Sequence, residues 1–462
     1  MKKLSAIIAF LASFLFFAIA YPYHLVRREQ MNLFVYDWDY ITQTYHGAGW
    51  FARFFSSFLD QFFCVPFLGP IIVAALLTAI AVVTYLIFRK FSGNGISMIA
   101  AVLMFAWSFM RECGNLYVTR YTVVTLGFLS LILLALQFKK LLAKAAAAIV
   151  FLGFGAWALG TPYNSNYGKL WSVPRIEYDR VIGLDAECAR ENWDKVLKLS
   201  RKDLHMREAS FCYNLALAMK GQLGNHIFDH SQGGPYDLIL PVSAKQSTFT
   251  NCLAGEQWYQ FGDMTIAEQS AITALQASPE HTGARFINRL ARVNMIAGHE
   301  ASAQKYLNLL SKTLFYGKWA GRMLAGTLDE DEIAWLENSR KNMAVSDFVH
   351  LADNPHTLLK GMLEVNPDNT PVREFMLCFD LMRYDLEMFI EDYNECRLDA
   401  RSYREAAVIW MGQQGITDES VADEYGIDDA LLQRMNSFFR YPERYRNTYW
   451  YYYTSAQNAP EQ

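Results

Sequence analysis

Residues 67–88 read FLGPIIVAALLTAIAVVTYLIF, an apolar run without a charged residue. As a helix this run is about 33 Å long, which is enough to cross the hydrocarbon core of a bilayer. Four further apolar runs lie on either side of it, at Leu4–Ala20, Gly95–Met110, Tyr121–Phe138 and Leu141–Leu159. Residues 1–160 therefore predict a transmembrane helix bundle with about five spans.

The charges between these runs predict an orientation. Residues 1–3, 89–90 and 139–144 hold seven basic and no acidic residues, whereas residues 21–66 and 111–120 hold five of each. Because cytoplasmic loops carry an excess of Lys and Arg, the first set is predicted to be cytoplasmic. Five spans then place the C-terminal part of the chain on the outer side of the membrane.

The first apolar run has two interpretations. Lys2, Lys3, the apolar stretch and Ala18-Ile19-Ala20 are also typical of a signal peptide with a small-residue cleavage site. The stretch is longer than is usual in signal peptides, so we favour an uncleaved anchor. In both cases Tyr21 emerges on the outer side.

The composition changes near Gly160. Residues 1–160 carry 12 Lys and Arg against 5 Asp and Glu, whereas the rest of the 462 residues carries 30 against 41. An acidic, solvated domain is a poor match for nucleic acid, which requires concentrated positive charge. The seven cysteines include no C-x-x-C pair, which argues against zinc and thioredoxin-type sites and leaves a Cys378–Cys396 disulfide open. We expect no cofactor and no metal site.

The first outer loop, residues 21–66, contains a predicted amphipathic helix that begins near Trp50. Aromatic and apolar residues recur at helical spacing on one face, at Phe51, Phe54, Phe55, Phe58, Leu59, Phe62 and Phe63. Small and polar residues fill the other face, among them Ser56 and Ser57. We expect the aromatic face to be seated on the outer leaflet or across the mouth of the bundle, or to form the floor of a lipid-substrate groove. A charge at Phe55 should then damage assembly, and one at Ser56 should be tolerated.

The same loop carries Asp37-Trp38-Asp39. Polytopic glycosyltransferases that use lipid-linked sugars keep an acidic base in their first outer loop, so Asp37 and Asp39 are candidate catalytic residues. Two carboxylates at i and i+2 share a face neither in a strand nor in a helix. We therefore favour solvated loop acids or partners of Arg27 and Arg28.

Residues 161–175, TPYNSNYGKLWSVPR, contain two prolines and no periodicity, which predicts a linker. Residues 176–462 have helical periodicity. The clearest repeat covers residues 248–280, with the offsets of a 34-residue tetratricopeptide repeat at Gly255, Gly262, Ala267, Ala274 and Pro279. A second unit has Ala291, Gly298 and Ala303 at the same relative positions. We predict an all-α chain in which a soluble tetratricopeptide-like α-solenoid follows the bundle.

Three strings of sequence carry a resemblance to a known family. They are Arg28-Glu29-Gln30-Met31-Asn32-Leu33-Phe34, Thr313-Leu314-Phe315-Tyr316-Gly317-Lys318-Trp319-Ala320 and Thr448-Tyr449-Trp450-Tyr451-Tyr452-Tyr453. In their order the chain resembles an uncharacterised family of Bacteroidota inner-membrane proteins, which join a polytopic region to a C-terminal tetratricopeptide-like domain. The resemblance implies a multi-pass inner-membrane protein with a periplasmic repeat domain. It implies no activity and no catalytic residues.

Two further sequence patterns are candidate binding sites. His226 and His230 would share a helix face as zinc ligands do, but no Glu follows the first histidine and a Gly-Gly-Pro turn follows the second, so we favour a polar helix end. Residues 438–453 hold nine aromatic residues interleaved with arginines. This stretch could bind a carbohydrate, but we favour a terminal helix whose rings cap the core of the repeats.

These patterns lead to two functional hypotheses. The preferred one is a scaffold without catalytic activity, anchored in the bilayer, whose periplasmic repeat domain binds a protein or another partner in the cell envelope. The alternative is a divergent membrane glycosyltransferase-like enzyme that uses a lipid-linked sugar, with Asp37 and Asp39 in its active site.

Overall fold

The structure is a computed structural model that describes residues 3–114, 118–160, 173–278, 281–344 and 355–457. Across these ranges the regular elements are helices, and no strand is present. The all-α prediction is confirmed for this part of the chain. Most of the predicted linker, residues 161–172, lies outside the described residues, as does Pro279 of the predicted repeat.

The chain forms two compact units, each with its own core. Unit 1 comprises Met1–Gly183, Leu275–Ala291 and Ala301–Leu328, and unit 2 comprises Leu184–Ala274, Arg292–Glu300 and Asp329–Gln462. Unit 1 thus contains helices that come more than 100 residues after the apolar runs.

The helices of the first 183 residues begin with α1 and end in α9. Their bounds are α1 Lys3–Leu15, α2 Tyr23–Gln30, α3 Trp38–Thr44, α4 Trp50–Asp60, α5 Leu68–Arg89, α6 Asn94–Glu112, α7 Val118–Ala135, α8 Leu141–Ala158 and α9 Ile176–Cys188. A short π-helix, Phe16–Ala20, continues α1, and a short 3₁₀-helix, Gln61–Cys64, continues α4.

The remaining helices are shorter and follow one another closely. Their bounds are α10 Trp193–Ser200, α11 Arg207–Met219, α12 Leu223–His226, α13 Thr248–Phe261, α14 Met264–Ala277, α15 Ala284–Ala297, α16 Glu300–Ser311, α17 Gly317–Ala325, α18 Glu330–Asn342, α19 Pro355–Val365, α20 Thr370–Met382, α21 Leu386–Cys396, α22 Arg401–Gln414, α23 Glu419–Glu424, α24 Asp429–Arg440 and α25 Tyr449–Gln457.

Four helices are long and apolar enough to cross a membrane. They cover Lys3–Ala20, Leu68–Arg89, Asn94–Glu112 and Leu141–Ala158, and a shorter apolar helix covers Thr119–Ala135. The chain therefore has the helices of a membrane protein. Helix α5 lies in the middle of this group, packed against α1, α6 and α7. Val73 and Leu77 of α5 are fully buried beside Phe17.

Helix α4 begins at Trp50, where the amphipathic helix was predicted to begin, but its small and polar residues are more buried than we expected. Ser56 is only 4% exposed, and Ala52 is 0% exposed, whereas Phe55 is 37% exposed. The small side chains allow α4 to pack closely against α7. The expectation that a charge at Ser56 would be tolerated is therefore wrong.

In unit 2, the predicted clearest repeat contains two helices, α13 and α14. Gly262 ends α13 with φ 101° and accommodates the turn between them. Gly255 faces α14, because a Cβ there would lie 2.8 Å from Cβ of Ser270. Ala267 of α14 is fully buried in a cluster with Tyr259 and Val293. The small residues thus lie where two helices approach closely.

Candidate functional site

The start of the first outer loop is held by a carboxylate from far along the chain. Asp179 of α9 accepts hydrogen bonds from the backbone N–H groups of Tyr23 (3.3 Å) and His24 (2.7 Å). These groups lie in the first turn of α2, which has no partners for them within the helix. Burial raises the pKa of Asp179 to about 7, and the two N–H donors oppose that rise. Asp179 therefore acts as an N-terminal cap for α2.

Helix α2 carries Arg28 into a fully buried ion pair with Glu112 at the end of α6. Arg28 Nη1 lies 2.6 Å from Glu112 Oε2, and both side chains are 0% exposed. Arg28 Nη2 also donates to the main-chain carbonyl of Glu112, and Thr122 Oγ1 donates to Glu112 Oε1. Desolvating two charges is costly unless such additional hydrogen bonds satisfy them. This pair joins α2 to α6 and α7.

Asp60 at the end of α4 belongs to the same polar cluster. Thr119 Oγ1 lies 2.6 Å from Asp60 Oδ1 and 3.5 Å from Arg28 Nη1. Burial raises the pKa of Asp60 to about 7, although the charge of Arg28 opposes the rise. We name Arg28, Asp60, Glu112 and Thr119 the loop cluster. Its hydrogen bonds connect α2, α4, α6 and α7.

His24 completes the polar surroundings of α2. Burial, followed by the charge of Arg28, lowers the pKa of His24 to about 3, so its imidazole is neutral at physiological pH. Nε2 of His24 donates to the carbonyl oxygen of Gly114. This neutral hydrogen bond fastens α2 to the segment that follows α6.

The loop also contacts helices from the second half of the sequence. Tyr316 donates from its hydroxyl to Glu29 Oε1 (2.8 Å), and the backbone N–H of Ala284 donates to the carbonyl of Asn32 (2.9 Å). A shallow surface cleft lies here, with Glu29, Asn32, Gln61, Ala284, Phe315 and Tyr316 in its wall. Two strings quoted above for the family resemblance, residues 28–34 and 313–320, thus meet in unit 1.

Asp37 and Asp39, the catalytic candidates of the enzymatic alternative, do not line this cleft. Asp37 caps α3 by accepting from the N–H of Tyr40 (3.0 Å) and pairs with Lys312 Nζ (2.7 Å). The hydrogen bond from Lys312 and that from Tyr40 lower the pKa of Asp37. Asp39 is exposed in the first turn of α3. Asp37 therefore pairs with Lys312, while Arg28 pairs with Glu112.

Unit 2 contains a buried cluster that could hold a metal ion, formed by His356 of α19, Asp380 of α20 and Asp392 of α21. One potential ligand atom from each lies within 4.8 Å of the other two. His356 Nε2 is 3.7 Å from Asp380 Oδ1 and hydrogen-bonds to Asp392 Oδ2. Lys360 Nζ lies 3.0 Å from the other oxygen of Asp392. We name the first three residues the histidine–aspartate cluster.

The structure separates His226 from His230. Helix α12 ends at His226, and His230 has extended backbone with φ −140°, so the two imidazoles do not share a helix face. His226 Nδ1 contacts Asp229 Oδ2 (2.7 Å), while His230 Nε2 lies 3.1 Å from Ser210 Oγ. Each histidine thus has its own polar partner.

The C-terminal aromatic stretch is partly buried. Tyr449 is 0% and Trp450 1% exposed, and Trp450 Nε1 donates to the carbonyl of Glu405 (2.8 Å). Phe439 is 65% exposed.

All seven cysteines are free thiols, so Cys378 and Cys396 are not joined.

A family model of a family of unknown function, DUF6057, matches residues 1–165 and 161–456. The chain belongs to this family. No curated protein and no solved structure matches it.

In this DUF6057 chain, sequence reasoning missed the histidine–aspartate cluster and the loop cluster. Their members are far apart in sequence and form no motif at fixed spacing. One local signal was present, because Asp380 interrupts the apolar run Phe375–Met382 in the interior of a helix. A charged residue at such a position is rarely buried without a partner. The same reasoning applies to Glu112, which follows the apolar run of α6.

Proposed function

We propose that this protein is a scaffold anchored in the inner membrane, and that its helical-repeat domain binds a protein or another partner of the cell envelope on the periplasmic side. The observation that carries this proposal is the attachment of residues 284–316 to the first outer loop. Hydrogen bonds join Asn32 to Ala284 and Glu29 to Tyr316, and an ion pair joins Asp37 to Lys312. These contacts lie within unit 1 and keep Ala284, Lys312 and Tyr316 on the same side of the membrane as the loop.

These contacts also support a five-span topology. Residues 23–37 precede helices α5 to α8, whereas Asp179, Ala284 and Lys312 follow them. Groups that touch lie on the same side of the membrane, so the chain must cross it an even number of times between them. Three helices in this interval meet the length criterion for a span. Parity therefore favours a fourth crossing by the shorter helix Thr119–Ala135, whose 17 residues reach about 25 Å.

The charge bias gives this topology its direction. The basic, acid-free loops at residues 89–90 and 139–144 favour the cytoplasmic side, which leaves the first outer loop and the domain attached to it in the periplasm. The loop cluster fits this arrangement, because its charges lie at the ends of α4 and α6 rather than in the middle of a span.

Packing in unit 2 supports a tetratricopeptide-like solenoid. Helices α13 and α14 are joined by the short turn at Gly262, with Gly255 and Ala267 at their close approach. Helix pairs of this kind bury their apolar faces by stacking on neighbours, which leaves extended polar surfaces for binding. Asp37, by contrast, is engaged by Tyr40 and Lys312, so its carboxylate is less available for the role that the enzymatic alternative gives it.

In-cell photo-crosslinking with the full chain tests this function. A photoreactive amino acid is placed at Gln269 of α14 or Glu337 of α18, both exposed in unit 2, and at Leu142 of α8 as a lipid-facing control. The scaffold function predicts discrete protein adducts from the unit 2 positions that persist at native expression levels, and none from Leu142. If neither unit 2 position yields an adduct while the protein accumulates normally, binding through these helices is rejected.

A further inference from the structure

Asp380 is a buried acidic residue that lacks hydrogen-bond donors among the described residues. It is 0% exposed, and among the described residues no donor lies within hydrogen-bond distance of either carboxylate oxygen. A buried carboxylate without a partner is strongly disfavoured, so the group must carry a proton or lie beside a cation. One oxygen of Asp380 lies within 4.8 Å of a potential ligand atom of His356 and of one of Asp392.

We propose that His356, Asp380 and Asp392 bind one divalent transition-metal ion of the zinc type. Ligands around a tetrahedral zinc ion at about 2.1 Å are roughly 3.4 Å apart. His356 Nε2 and Asp380 Oδ1 are already 3.7 Å apart, and the three potential ligand atoms lie within 4.8 Å of one another. Small side-chain rotations therefore suffice to close the site around an ion.

The remaining oxygen of Asp392 is already engaged. Lys360 Nζ lies 3.0 Å from Asp392 Oδ1, while Oδ2 is the atom directed at His356. Carboxylates that bind metals are usually oriented by a second hydrogen bond of this kind. Lys360 is about one-third exposed, so its ammonium group can stay with Oδ1 without entering the site.

The donor set selects the class of metal. One imidazole nitrogen with two carboxylate oxygens suits zinc and its neighbours among the transition metals, whereas magnesium prefers oxygen ligands and retains most of its water. Three protein ligands leave the fourth position for water. Because the ligands come from α19, α20 and α21, the ion would connect three successive helices of unit 2. The inference does not depend on the proposed scaffold function.

Zinc titration of the full chain in detergent tests the site. After treatment with a chelator, the wild type should bind one Zn²⁺ per chain by calorimetry and show a higher Tm with zinc, because an ion that binds the folded state stabilises it. Asp380→Asn should weaken zinc binding at least about 100-fold and remove the zinc-dependent rise in Tm. Glu391→Gln changes an exposed neighbour of Asp392 (side chain 64% exposed) and should leave both unchanged.

The folding of the variant is checked without metal. Apo Asp380→Asn should retain the wild-type helical signal and Tm, since the amide has nearly the same size and shape as the carboxyl group. Should it misfold, His356→Gln is the deciding variant. Equal zinc binding by the wild type and the folded ligand variant would overturn the proposal. So would the absence of a zinc site in the wild type, a loss in Glu391→Gln as large as in Asp380→Asn, or displacement of the zinc by equimolar Mg²⁺.

Discussion

The guanidinium of Arg28 lies 2.6 Å from the carboxylate of Glu112, and neither side chain is exposed. The pair joins the first outer loop to the end of α6, 84 residues away in sequence. Because its partners are buried, the pair specifies where the loop sits more than it adds to stability. Removing one charge and removing both should therefore have different effects.

Arg28→Met should destabilise the chain by about 3–5 kcal/mol, because it leaves the charge of Glu112 buried without a partner. The double variant Arg28→Met/Glu112→Met should recover a large part of that loss. Thermal unfolding in detergent, followed by circular dichroism, compares the two variants with the wild type. If the double variant is no more stable than Arg28→Met, the two side chains are not coupled, and the loop cluster does not hold the loop.

The buried face of α4 gives a second prediction. Ser56→Leu should cost roughly 1–3 kcal/mol, since it adds two heavy atoms where α4 packs against α7. Phe55→Leu is a change of similar size at the adjacent residue, whose side chain is exposed. It should cost much less. Both are measured as shifts in Tm. A larger shift for Phe55→Leu would mean that the aromatic face is the seated one after all.

Helix α4 shows what the periodicity of apolar residues can and cannot predict. The spacing of the phenylalanines predicted the helix and its two faces, but it could not tell how far each face is buried. Phe54 and Phe58 contact Phe34, whereas Phe55 is 37% exposed, so the aromatic face is only partly covered. Ala52 and Ser56 face inward because small residues allow closer helix packing.

Other features could not be predicted because they are non-local. Asp179 caps a helix 156 residues earlier, and Lys312 pairs with Asp37 across 275 residues. Such contacts cannot be predicted from the neighbouring sequence of either residue. The apolar runs and the turn at Gly262 were predictable, because they depend on the chain within a few residues.

Glu374 gives a prediction for pH. Its Oε2 accepts from the backbone N–H of Leu223 (2.9 Å), and burial raises its pKa from 4.5 to about 7. The folded state thus binds more protons than the unfolded state between these values, so stability falls as pH rises through this window. The expected loss is up to about 3 kcal/mol. Glu374→Gln should flatten this part of the profile of unfolding free energy against pH, and parallel profiles would contradict the assignment.

The repeat in unit 2 can be tested by overpacking. Ala267 is fully buried, so Ala267→Leu should cost roughly 1–3 kcal/mol. Gln269→Leu, at an exposed position two residues later, should barely change the Tm. The full chain is the right sample, because Ala284 and Tyr316 contact the outer loop. Equal shifts would count against close packing of α13 and α14.

The central claim is that the first outer loop and the C-terminal domain are both on the periplasmic side of the membrane. A cysteine is introduced separately at Trp38, Phe91 or Phe439, all of which are well exposed. Each added cysteine reports the side of the membrane on which that position lies. A membrane-impermeant maleimide is applied to intact spheroplasts, with the unsubstituted chain as background. The account predicts labelling at Trp38→Cys and Phe439→Cys, and at Phe91→Cys only after permeabilisation. Labelling of Phe439→Cys only together with Phe91→Cys would contradict it.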